Sequence, residues 1–245
     1  MVTSLLFSFV LLFGMWKKFP NKQNFFRPTT EDRKCFPDIE TKRPEIAVYP
    51  SISKSESRNF IYITNFDERE YQFQISLSSV KQNSLIIIPT GLGKTFIAAM
   101  IIINFYRWFP TGKIIFMATS RPLVKQQMFA LRKMDIIPQK DIVEITGGVL
   151  QSARNQYWES ARLFFATPQT IQKDIERGVC PISHIVLVIV DEAHHARGNH
   201  SYCRIIQKIA EVTKFFRVIA LTATPGSSFE DIQQVIYNLM ISNIQ

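Results

Sequence analysis

Residues 84–95, SLIIIPTGLGKT, constrain the fold more than any other stretch. The β-branched apolar run Leu85, Ile86, Ile87 and Ile88 reads as a buried strand. Pro89, Thr90, Gly91, Leu92 and Gly93 supply a tight turn, and Lys94 and Thr95 open a long apolar helix, FIAAMIIINFYRWF. A strand that passes through a glycine turn into a helix start is an anion site. Backbone N–H groups point inward there, and the helix dipole favours negative charge. Gly91 and Gly93 let the backbone approach a phosphate where a Cβ would clash. In such a loop Lys94 reaches the β- and γ-phosphates, and the Thr95 hydroxyl can ligate Mg²⁺. Ile88 stands where the pattern G-x-x-x-x-G-K-[ST] would begin, so the loop takes the form T-G-x-G-K-T. ATP with Mg²⁺ is the cofactor these residues point to.

From this loop onward the chain alternates strand and helix. Strands are expected at residues 85–88, 114–118, 142–145, 163–166, 185–190 and 218–221. Helices are expected at 95–108, 122–134, 169–177, 202–212 and about 229–239. A helical pattern over 65–80 precedes them, with Asp67 as a possible cap. The alternation implies an α/β fold with a doubly wound, mostly parallel sheet. Strand 185–190, IVLVIV, is apolar at every position, as a strand covered on both faces must be. Ligands of such sheets bind outside the carboxyl ends of the strands, and the remaining polar clusters fall there.

Asp191, Glu192, Ala193 and His194 leave the apolar strand together. An acid in that position, beside a phosphate loop, can hold Mg²⁺ directly or through water, which is the role expected of Asp191. Glu192 is the candidate to orient and deprotonate an attacking water. The hydroxyls of Thr222 and Thr224 can bond the His194 region and tie the nucleotide site to a neighbouring lobe. Three further strand ends carry Arg121, then Thr146 and Gly147, then Thr167 and Gln169. Small hydroxyl residues and amides at helix starts suit phosphate contacts without base reading, and Arg121 adds charge.

The formal charge of +9 favours a polyanionic partner, most simply nucleic acid. Cys35, Cys180 and Cys203 are odd in number and unpaired in spacing, so neither a disulfide framework nor a zinc ribbon is indicated. Residues 5–16, LLFSFVLLFGMW, are apolar but too short for a usual membrane span, and they lack a signal peptide's flanks. No stable membrane partner is expected. Residues 1–55, apolar and then basic with several prolines, read as a poorly ordered tail, and residues 56–245 as one lobe.

PTGLGKT, DEAH, TAT and ATPQT, in this order and spacing, resemble the superfamily-2 helicases of DEAH type. PTGLGKTFIAAMIIINFYRWFPTGKIIFMA, RGVCPISHIVLVIVDEAHHARGNHSYC and ALTATPGS are similar to the Fanconi anaemia group M and Hef helicases, over about residues 66–245. The resemblance implies the first RecA-like, P-loop lobe of a two-lobe motor. It implies a nuclear, ATP-dependent DNA helicase or translocase acting on branched or forked DNA in repair, with repair-complex proteins as partners. By the same resemblance, Arg69-Glu70-Tyr71-Gln72 is the adenine-recognising motif: Gln72 reads the base and Arg69 supports it. Arg121, Thr146, Gly147, Thr167 and Gln169 would then follow the DNA backbone. Three positions depart from the family: Thr119-Ser120 for Pro-Thr, and His195 for Arg. A second RecA-like lobe, with its arginine, is missing from this chain, so the single lobe is expected to hydrolyse ATP poorly. The alternatives are a truncated nucleic-acid- or partner-binding module, or an RNA-directed superfamily-2 helicase, since the shared motifs touch backbone.

Overall fold

The computed structural model describes residues 49–63, 69–224, 226 and 228–245. The apolar stretch at 5–16, most of the basic tail and the Asp67 cap position lie outside them.

The described strands are β1 (Ser84–Ile87), β2 (Lys113–Met117), β3 (Ile142–Ile145), β4 (Leu163–Ala166), β5 (Ile185–Val190), β6 (Arg217–Thr222) and β7 (Asn243–Ile244). The α-helices are α1 (Glu70–Ser79), α2 (Lys94–Trp108), α3 (Arg121–Arg132), α4 (Gln151–Ser160), α5 (Pro168–Glu176), α6 (Ser201–Val212) and α7 (Phe229–Asn238). The strands form one parallel sheet in the order β3-β4-β2-β5-β6-β1-β7.

Side-chain alternation splits the core into two layers. Ile86, Ile114, Phe116, Leu187, Ile189, Ile219 and Leu221 face α2 and α3, whose Ile97, Ile101, Val124 and Met128 pack among them. Leu85, Ile115, Met117, Val188, Val190, Val218 and Ala220 face the other way, toward Trp158, Ile171, Tyr202, Ile206 and Val235. β5 lies at the centre of the sheet and is buried at all six positions, so it needs apolar residues on both faces.

Two elements were not anticipated. α4 shows no apolar period because its buried residues are Arg154 and Trp158, and β7 is only two residues long. The first helix also starts later than the 65–80 pattern suggests. It opens at Glu70, with Arg69 at the N-cap position but its side chain making no cap hydrogen bond. The described fold reaches back past residue 56. Asn104, buried in α2, exchanges hydrogen bonds of 2.8 Å with both the N–H and the carbonyl of Ile61, and the Ser53 N–H bonds the Trp108 carbonyl at 2.7 Å.

Candidate nucleotide site

The sheet order places β6 between β1 and β5, so the ends of three adjacent strands form one crevice. The Ile88 N–H bonds the Thr222 carbonyl at 3.1 Å, and the Asp191 N–H bonds the Met117 carbonyl at 2.9 Å. The loop after β1 and the acids after β5 are therefore held by the ladder itself.

Gly91 and Gly93 have φ of +86° and +93°, a left-handed backbone that glycine adopts without penalty. A Cβ on Gly93 would lie 2.1 Å from Gln72 Nε2, so the loop also needs glycine there for space. The Lys94 ammonium donates to the Ile88 carbonyl at 3.0 Å, folded back under the turn. Thr90, Gly91 and Leu92 form the exposed rim.

The expected adenine readers converge on the loop. Tyr71 Oη donates to the Leu92 carbonyl at 2.7 Å, and Gln72 Nε2 donates to the same oxygen at 3.2 Å. Arg69 Nη1 lies 3.3 Å from Tyr71 Oη. Gln72 is buried, and its amide nitrogen braces the phosphate loop. Its place in the first turn of α1 brings it there.

Thr95 Oγ1 donates to Gln127 Oε1 at 2.8 Å, and Gln127 Nε2 donates to Asp191 Oδ2 at 3.2 Å. One amide thus joins the two residues expected to hold a metal. The Asp191 carboxyl is buried, which pushes it above the usual carboxylate range; the neighbouring Glu192 charge acts in the same direction. The Glu192 N–H, Lys94 and Gln127 partly offset this. Glu192 has φ +51° and ψ +50°, a left-handed conformation unusual for a residue with a Cβ.

His194 Nδ1 lies 3.1 Å from Thr222 Oγ1 and 3.3 Å from Glu192 Oε2. Thr222 gives its own proton to the Thr224 carbonyl at 2.6 Å, so Nδ1 carries the hydrogen of the His194 contact. Burial, with the neighbouring His195, holds His194 below the ordinary histidine range. Thr222 is buried; Thr224 contributes its carbonyl and its N–H, which returns to Thr222 Oγ1 at 3.3 Å.

A cleft of about 480 Å³ opens beside this crevice, lined by Thr119, Ser120, Arg121, Gly147, Arg154, Thr167, Gln169, Thr170, Lys173 and Arg177. Its charged lining is wholly basic. Arg121 lies against Gly147 and Gly148, 2.9 Å from where a Gly147 Cβ would stand. The hydroxyls of two expected phosphate contacts have partners within the fold. The Thr146 hydroxyl is buried and donates to Glu144 at 3.0 Å, and the Thr167 hydroxyl is bonded to Thr170 at 2.9 Å. Both serve the turns that shape the cleft, because each hydroxyl finds a partner inside it. Gln169 is exposed.

Fold and crevice together define a P-loop nucleotide-binding lobe of the superfamily-2 helicase type. The chain belongs to the family described as "Type III restriction enzyme, res subunit", which matches residues 53–227. It is 47% identical over 186 residues to the Fanconi anemia group M protein of Gallus gallus, covering 76% of this chain and 9% of that protein. It is 44% identical over 194 residues to the ATP-dependent DNA helicase fml1 of Schizosaccharomyces pombe, covering 79% of this chain and 23% of that one. The crystal structure of the Pyrococcus furiosus Hef helicase domain matches with a TM-score of 0.70 and 39% identity, over 73% of this chain and 38% of the other. The chain is therefore similar to only a small part of these curated relatives.

Sequence reasoning missed Gln127 and Arg154, and named Tyr71 only as part of the adenine motif, without a role. Gln127 lies in the polar string VKQQ, where no spacing separates it from its neighbour Gln126.

Proposed function

We propose that this lobe binds Mg·ATP and drives movement on DNA, branched or forked, in nuclear DNA repair together with a second RecA-like lobe and repair proteins. The observation that carries this reading is the joining of Thr95 and Asp191 through one amide, beside a loop whose lysine points under the phosphate turn. A hydroxyl and a carboxylate tied to one amide face the same crevice, and oxygen donors suit Mg²⁺. When bound, Mg²⁺ neutralises charge on the β- and γ-phosphates.

The chain's own residues would do the rest. Lys94 exchanges the Ile88 carbonyl for a phosphate oxygen. Glu192, fixed by its strained backbone and the His194 contact, orients the attacking water and accepts its proton. His194 passes the state of that acid to Thr222 and the segment after β6. Arg121 and the basic cleft hold the nucleic-acid backbone without reading bases.

The test is fluorescent-nucleotide binding to the 245-residue chain with and without Mg²⁺, followed by ATPase assays with a second lobe supplied in trans. Wild type should bind in a Mg²⁺-dependent manner, and forked DNA should stimulate turnover. Lys94→Ala and Asp191→Asn should abolish both. Unchanged activity in Lys94→Ala would refute the reading. Preferential stimulation by duplex RNA would move the substrate to the RNA-directed class.

A further inference from the structure

We infer that Gln127 is a positioning residue of the metal site and that it links that site to α3. The inference rests on the proposed Mg·ATP reading of the crevice. The Gln127 amide accepts from the Thr95 hydroxyl at 2.8 Å and donates to Asp191 Oδ2 at 3.2 Å. A side-chain amide has an acceptor at one end and a donor at the other, so it satisfies a hydroxyl and a carboxylate at once. The consequence for Thr95 is directional. Its one proton is committed to Gln127, which leaves the oxygen lone pairs turned away from the amide and available to a cation. The consequence for Asp191 is rotational. Oδ2 is held by Gln127 and Oδ1 by the Glu192 N–H at 3.0 Å, so the carboxylate is fixed at both oxygens. Losing a partner that orients a metal ligand in this way typically costs about 10- to 100-fold in metal affinity.

Gln127 belongs to α3, whose first residue is Arg121. Arg121 lies against Gly147 and Gly148 in the basic cleft, about 9 Å along the same helix from Gln127. A helix this short moves as one piece. When a phosphodiester backbone engages Arg121, any shift of α3 is delivered to Thr95 and Asp191 through the amide, and metal binding biases Arg121 in return.

Mn²⁺ titration followed by electron paramagnetic resonance, on the full chain with a non-hydrolysable ATP analogue, tests this. The proteins are wild type, Gln127→Met, Gln127→Ala and Asp191→Asn, each with and without forked DNA. Gln127→Met keeps the side-chain length and removes both hydrogen bonds. It should lower Mn²⁺ affinity about 10- to 100-fold while metal-free nucleotide affinity stays at the wild-type value, a split that loss of structure would not produce. Gln127→Ala should do the same. DNA should shift the Mn²⁺ affinity of wild type and of neither Gln127 variant. Wild-type Mn²⁺ affinity in both Gln127 variants, with loss in Asp191→Asn, overturns the role of Gln127 and leaves the site intact. Wild-type affinity in Asp191→Asn overturns the site itself. A wild-type affinity indifferent to DNA, or a DNA shift that survives in Gln127→Met, overturns the link to α3.

Discussion

Gly93→Ala separates the conformational role of the phosphate loop from its steric role. At φ +93° an alanine carries the left-handed penalty, about 1–2 kcal/mol. Its Cβ would also fall 2.1 Å from Gln72 Nε2, so the amide has to swing aside and give up its 3.2 Å bond to the Leu92 carbonyl. Gln72 is only 5% exposed, so water cannot easily replace that partner, and the loss adds about 1–2 kcal/mol. The sum, about 2–4 kcal/mol, should lower the melting temperature by roughly 5–15 °C. Because the distortion lies in the phosphate loop, nucleotide affinity should fall at least about tenfold. Gly91→Ala is the internal control. Gly91 has φ +86° but no atom within 4 Å of its Cβ position, so only the backbone part applies. In a Gln72→Ala background the steric part vanishes, and Gly93→Ala should cost about 1–2 kcal/mol less than in wild type. Differential scanning calorimetry and fluorescent-nucleotide titration on the four-protein cycle provide the numbers. An identical cost in both backgrounds, or equal costs at Gly91 and Gly93, would refute the steric argument.

Two further outcomes follow from strained or titrating groups. His200 caps α6 by accepting the Tyr202 N–H at Nδ1, and burial followed by the His195 charge holds it below the ordinary 6.5. The unfolded chain therefore takes up the proton first, so stability is complete above pH 6.5 and declines as pH falls below it. His200→Asn, a capping residue that does not titrate, should flatten that decline in denaturant melts between pH 7.5 and about 5.5, and an unchanged slope would count against the cap. Glu192 sits at φ +51°, where asparagine is tolerated far better than glutamate. Glu192→Asn should therefore raise stability by about 1 kcal/mol and exceed Glu192→Gln, which relieves only charge; both should lose hydrolysis, and a Gln variant at least as stable as the Asn variant contradicts the strain.

Much of the sheet is legible in the sequence because its signals are local. Leu85–Ile88 and IVLVIV at 185–190 are apolar runs that only a covered strand can bury, and the glycines at 91 and 93 mark the turn between strand and helix. α4 is illegible for the opposite reason. Its buried residues are Arg154 and Trp158, and both reach Asp174, at 3.1 and 3.0 Å. A helix docked by a guanidinium and an indole N–H onto a carboxylate has no apolar stripe to read. The loop motif and the DEAH acids stand out because their chemistry is rare in any other context. Gln127 does not, since its meaning comes from a partner 64 positions away. Thr146 and Thr167 sit at strand ends, as their expected phosphate contacts require, but their hydroxyls have partners in the turns they occupy, which a strand-end position alone does not reveal.

Asp174 and Asp191 show how two buried acids of one fold can be compensated differently. Both are buried, at 0% and 4% exposure. Asp174 has a guanidinium on one oxygen and an indole N–H on the other, so its charge is compensated within the fold. The hydrogen bonds to Asp191 come instead from a main-chain N–H and a neutral amide, with the like charge of Glu192 next to it. Burial pushes its carboxyl above the usual range and the Glu192 charge adds to this, while the two hydrogen bonds and Lys94 offset only part of it. Replacing two neutral donors by a paired cation would remove that cost, and Asp174 demonstrates that this fold can do so. The pair is missing at the one position where the open crevice, the Thr95 hydroxyl and the Lys94 loop converge. Asp191 is thus less fully compensated than Asp174, and a divalent cation bound in the proposed role would offset that deficit.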